Sequence, residues 1–176
     1  MKKKAVDGTA TVFVRWNEGN ARFDEFNDFC RAVAKCLRRA ERIVSKDDEK
    51  IRYRIVSLQA SSASLTLEPI HLGNGHDPGL DVIEFFRDTV FRLQAGKQVD
   101  SRLTTDDLQA FRDLATPLQR TARQVWIGEA SLTPKYVSRI DKILSIATPS
   151  EGSVTGRLEG IHIHDHRHKA NTGYGL

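Results

Sequence analysis

The 176-residue chain has only two cysteines, Cys30 and Cys36. On a helix through residues 22–45 they lie six positions apart and point in different directions, an unfavourable geometry for a disulfide. They read as reduced thiols, which points to a cytoplasmic protein. Long hydrophobic runs are missing too. None approaches the ~18 apolar residues of a membrane-spanning helix, so no membrane partner is expected. "MKKKAVDGTATVFV" starts like a secretory leader, but its apolar part is too short and soon meets Arg15, Trp16 and Asn17. Catalytic and nucleotide signatures are absent as well: no G-x-x-x-x-G-K-[ST], no strand-linked G-x-G-x-x-G, no G-x-S-x-G and no H-E-x-x-H. Nothing in the chain nominates an enzyme.

What remains has an ordinary globular composition, with 39% hydrophobic and 28% charged residues. A chain of this length buries roughly two-thirds of its unfolded surface and folds without staples. We read one domain over 1–176, with flexible ends at 1–8 and 168–176. The formal net charge is +4. Residues 1–56 carry 14 basic and 9 acidic side chains, so the cationic excess sits in the first third and hints at an anionic partner.

"TATVFVRW" (9–16) is β-branched and aromatic, a strand. Phe23, Phe26, Cys30, Val33, Leu37, Ala40 and Val44 recur at spacings of three and four, the apolar stripe of a long amphipathic helix with Asn20 as N-cap. "IRYRIVSLQ" (51–59) and "ASLTLEP" (63–69) alternate, predicting a hairpin with one apolar face. "HLGNGHDPG" (71–79) is a loop. Residues 80–96 form a helix through Ile83, Phe86, Val90 and Leu93, closed by Gly96. Residues 104–126 read as another helix. Thr104 and Asp107 have capping-box spacing, and Pro117 kinks or splits the helix. Residues 131–147 read as a helix from Thr133 and Pro134, with a strand as the alternative. "SVTGRLEGIHIHDH" (153–166) reads as a last strand. The order predicts an α+β fold: a small, mainly antiparallel sheet packed against the long N-terminal helix and two or three others.

Two patterns are candidate sites. Written as heptads from Phe23, the first helix places Arg31, Lys35, Arg38, Arg39 and Arg42 on one outer stripe with no acid among them. Such a stripe suits a phosphate backbone, or it is the ordinary solvated face of a helix. The second is "HIHDHRH". On a strand, His162 and His164 share a face about 7 Å apart, a spacing compatible with one zinc if other ligands join them. The other reading is a polar strand end. "HIHDH" is one residue short of the H-x-H-x-D-H signature of metallo-β-lactamase-like hydrolases, so that family is rejected.

"GSVTGRLEGIHIHD" resembles the G-S-V-x-G-x-L-x-x-I-x-x-H segment of a group of uncharacterised bacterial proteins, and "YRIVSLQASSASLTLEP" is similar to their central hairpin. More strands follow the histidine in that group. The resemblance therefore implies that the β element at 149–176 is incomplete and the chain is a shortened member; it implies no activity and no site residues. The functional expectation is a non-catalytic interaction module that binds protein or nucleic acid through the basic helix. The alternative is a metal-binding protein or metal-dependent enzyme using His162 and His164.

Overall fold

The computed structural model describes residues 9–16, 22–45, 51–59, 64–72 and 77–147. The expected strand at 153–166, with His162 and His164, lies outside the described residues, as does Asn20. The described elements are β1 (Ala10–Trp16), α1 (Phe23–Val44), β2 (Ile51–Gln59), β3 (Ser64–His71), α2 (Gly79–Ala95), α3 (Thr105–Asp113), α4 (Thr116–Arg120), β4 (Ala122–Ile127), β5 (Ala130–Leu132) and α5 (Pro134–Ala147). The fold is α+β. No helix among the described residues is long and apolar enough to cross a membrane.

The five strands form one sheet in the order β2-β3-β1-β4-β5, every neighbouring pair antiparallel. Because β1 and β2 both oppose β3, they run parallel with β3 inserted between them. By the same reasoning β3 and β4 run parallel on either side of β1. These are two interleaved split β-α-β units. Each crossover needs a long connection. Right-handed crossovers, the rule for such connections, put α1 and α2 on the same face.

Alternation then sorts the strand residues. Val12 and Val14 of β1, Leu65 and Leu67 of β3, and Val125 and Ile127 of β4 are buried under the helices. They meet Phe29, Val33 and Leu37 of α1 and Val82, Ile83, Phe86, Val90 and Leu93 of α2 in one core. Each such side chain contributes about 1.5–3 kcal/mol when fully buried. Phe86 meets Phe111 of α3 with ring centroids 6.1 Å apart. Tyr136 of α5, fully buried, donates its hydroxyl to the Phe111 carbonyl at 2.9 Å. The buried Cys36 thiol donates to the Ala110 carbonyl at 3.2 Å. Both bonds go to carbonyls at the end of α3, where the helical ladder gives out; the Phe111 carbonyl also accepts the Leu114 N–H at 3.2 Å.

Three expectations are corrected. The buried face of α1 is Phe29, Ala32, Val33, Cys36, Leu37 and Ala40, whereas Phe23 is 84% exposed. At about 100° per residue, the buried stripe is turned by roughly 60° from the one read from Phe23. The predicted helix 104–126 is three elements. α3 stops at Asp113, α4 restarts with Pro117 in its first turn, and 122–127 is a strand. β4 fills the free side of β1, with Val14 opposite Val125 and Phe13 opposite Trp126, and backbone pairing there outweighs helix propensity. In β2, Ile51 is buried but Ile55 is 58% exposed. Among the described residues β2 lies at the edge of the sheet, and its register shifts between Ile55 and Ser57.

The remaining local signals behave as chemistry dictates. Gly96 closes α2 in the left-handed region at φ 71°. Thr104 and Asp107 form the capping box. Thr133 precedes Pro134, the first residue of α5, and exchanges hydrogen bonds with the Gln94 side chain. Gly128, at φ 58°, makes the tight turn between β4 and β5, and its N–H donates to the Thr11 carbonyl at 2.7 Å.

Candidate functional site

Turning the buried stripe of α1 swings its basic stripe toward α3. Asp107 is completely buried and accepts from the Thr104 backbone N–H at 2.8 Å and the Thr104 hydroxyl at 2.7 Å. The Arg42 guanidinium, through one nitrogen, reaches both of its oxygens at 2.7 and 2.6 Å. Arg39 Nε stands 3.5 Å from the same carboxylate, and Lys35 Nζ lies 3.4 Å from Asp113. Three of the five predicted stripe cations are therefore engaged by acids of α3. Arg38 leans on its own helix, its Nε 3.4 Å from the Ala34 carbonyl. The acids that neutralise the stripe lie about 70 residues away in sequence, beyond the reach of helix periodicity.

Arg31 borders a shallow groove of about 250 Å³ between α1 and α4. The rest of its rim is mixed. Arg120 lies 3.8 Å from Asp28, and the Thr121 hydroxyl donates to Glu25 at 2.5 Å. Acids and bases balance there, over a floor that includes Phe29 and Pro117. At the other end of α1, Glu41 accepts the Ile51 N–H at 2.9 Å. Burial, together with the Glu41 charge, pushes the Tyr53 phenol well up. Cys30 and Cys36 are both free thiols, and burial raises each.

The sheet face opposite the helices has a different character. Register places Thr11 and Arg15 of β1, Arg52, Arg54 and Ser57 of β2, Ser64, Thr66, Glu68 and Ile70 of β3, Gln124 and Trp126 of β4 and Ser131 of β5 on it. Arg15, Arg52, Arg54, Ser57 and Gln124 are exposed, and Trp126 is half-buried. Arg123, also exposed, sits where the β1–β4 register shifts. Glu68 is the one acid among these positions, and Arg54 Nε donates to it at 3.0 Å. Arg15 and Arg52 have no acid opposite them: Arg15 faces Gln124 and Arg52 faces Ile70. Thr11 and Thr66 touch through their hydroxyls at 3.4 Å in the middle of the face.

No family model matches the chain, and neither a curated protein nor a solved structure does. Among the described residues, no three His, Cys, Asp or Glu side chains gather as a metal would require; the proposed zinc pair His162 and His164 lies outside them.

Sequence reasoning missed the sheet face because it placed Gln124 and Trp126 at the end of a helix. A signal was there. "QVWI" is β-branched and aromatic, it is followed by Gly128-Glu129, and "ASL" resumes the apolar alternation, the pattern of a short hairpin.

Proposed function

We propose that the protein is a non-catalytic interaction module that binds nucleic acid on the open face of its sheet. The observation that carries this reading is the charge of that face. Three arginines project from its strands against one glutamate, whereas the cations of α1 are largely spoken for by Asp107 and Asp113. Arginine with no carboxylate opposite it is free to donate to phosphate oxygens in a bidentate manner. The hydroxyls of Thr11, Thr66, Ser57 and Ser131 offer further contacts of the kind that go to phosphate and sugar. The interior of a protein–protein patch is depleted of charge; this face carries guanidinium, hydroxyl and amide groups beside the Trp126 indole.

Fluorescence polarisation with a labelled oligonucleotide tests the reading. Binding should weaken as salt rises, because displaced counterions are released. An Arg15→Ser, Arg52→Ser variant should lose more than about tenfold in affinity, while an Arg31→Ser, Arg38→Ser variant stays within about threefold of the parent. The reverse order would return the site to α1.

A further inference from the structure

We infer that the nucleic acid is single-stranded and that Trp126 is the platform on which one of its bases stacks. This rests on the reading above and deepens it. Trp126 occupies the middle of β4 and projects from the open face, between Phe13 of β1 and Ser131 of β5 in register. An indole is amphipathic and seldom completely buried, so the part of its ring left in solvent can take a partner. This one is half-buried, with part of its surface available to a partner.

Its neighbours fit a base and its backbone. Arg15 is the diagonal neighbour of Trp126, since Phe13 opposes Trp126 and Arg15 opposes Gln124. That spacing is about 7–8 Å, within reach of a long side chain. A base on the indole would thus have a guanidinium beside it to take its phosphate. Gln124, exposed and two residues from Trp126 on the same face, carries an amide able to pair with a base edge. An aromatic ring beside cations is the physical pattern of single-strand binding, because every unpaired base exposes a π-face. A duplex has no such face to offer, since its bases already stack on each other. A flat sheet face also presents no helix or ribbon to enter a major groove.

The test uses the full chain with fluorescein-labelled oligothymidylate of about 12 nucleotides, compared with a duplex of the same length. The single strand should bind at least about tenfold more tightly. Trp126→Ala should weaken single-strand binding about 5- to 100-fold, the effect of removing one stacking ring. Trp126→Phe, which keeps a ring, should recover most of it, and near-ultraviolet circular dichroism of the Phe variant controls for the fold. Loss of Arg15 should reduce the steepness of the salt dependence by about 0.7 for one phosphate contact on a single strand. Equal affinity for duplex and single strand, with no effect of Trp126→Ala, overturns the stacking inference while leaving polyanion binding on this face in place. Binding that is indifferent to both Trp126→Ala and the Arg15→Ser, Arg52→Ser change overturns both.

Discussion

Replacing Asp107 with alanine isolates the device that ties α1 to α3. The substitution removes the capping-box acceptor of α3, worth about 1 kcal/mol. It also removes the charge-assisted hydrogen bonds from Arg42, worth about 1.5–3 kcal/mol. Breaking a fully buried pair costs about 3–5 kcal/mol, because the surviving charge is stranded. Here the Arg42 side chain is 51% exposed, so it turns to water and the cost moves to the low end of that range or under it. We expect a loss of about 2–4 kcal/mol, which for a domain of this size lowers Tm by about 5–15 °C. Urea unfolding should show a lower midpoint with an unchanged slope. In an Arg42→Ala background the same substitution should cost less, and the difference is the coupling between the two residues. A loss under about 1 kcal/mol, or full additivity with Arg42→Ala, would refute the account of this seam. The variant also frees Arg39 and Arg42. If the sheet face binds the nucleic acid, oligonucleotide affinity stays within about threefold of the parent under conditions where the variant is folded.

Three further outcomes are expected. Tyr136→Phe removes the hydroxyl donor from the Phe111 carbonyl, which keeps the Leu114 N–H at 3.2 Å, and should cost about 0.5–1.5 kcal/mol in urea unfolding. Gly96→Ala places a side chain at φ 71°, where its Cβ would stand 2.9 Å from Arg139 Nε, and should cost about 1–2 kcal/mol, measured as a fall in Tm. Asp100 is held at about 2, below its ordinary 3.8, first by the side-chain hydrogen bond from Arg102 and then by the Arg102 backbone N–H. The fold favours the charged carboxylate, so its stabilisation is complete above pH 4 and lost as pH falls through about 2. Carboxyl-carbon NMR should find Asp100 titrating in that range, and Arg102→Ala should move it up toward the ordinary value.

Local chemistry was legible where it acts through near neighbours. The helix at 80–96, the hairpin strands at 51–59 and 63–69, the capping box at Thr104 and Asp107 and the start of α5 at Pro134 each rest on residues within a few positions of one another. The apolar stripe of α1 was found at the right length and the wrong angle. Periodicity reports that a helix has a buried side, but the direction is chosen by what packs there, and Phe29 and Cys36 won over Phe23 because α2, α3 and the sheet converge on them. The open face was hidden for a related reason. Residues 122–127 could satisfy their backbone groups in a helix or against a strand, and only the vacant edge of β1 decides between the two.

The sequence alone therefore determined the α+β class, the antiparallel character of the sheet, most element boundaries and the cationic character of the first third. Those properties follow from side-chain period, turn residues and charge count, all of which are local. Tertiary structure alone decided which cations are free. Asp107 and Asp113 reach α1 only after the chain has folded back on itself, and Arg15, Arg52 and Trp126 share a surface only because β2, β1 and β4 lie in one sheet. Neutralisation and stacking act over a few ångströms of space, and the residues that meet there are separated by up to 111 positions of chain, from Arg15 to Trp126.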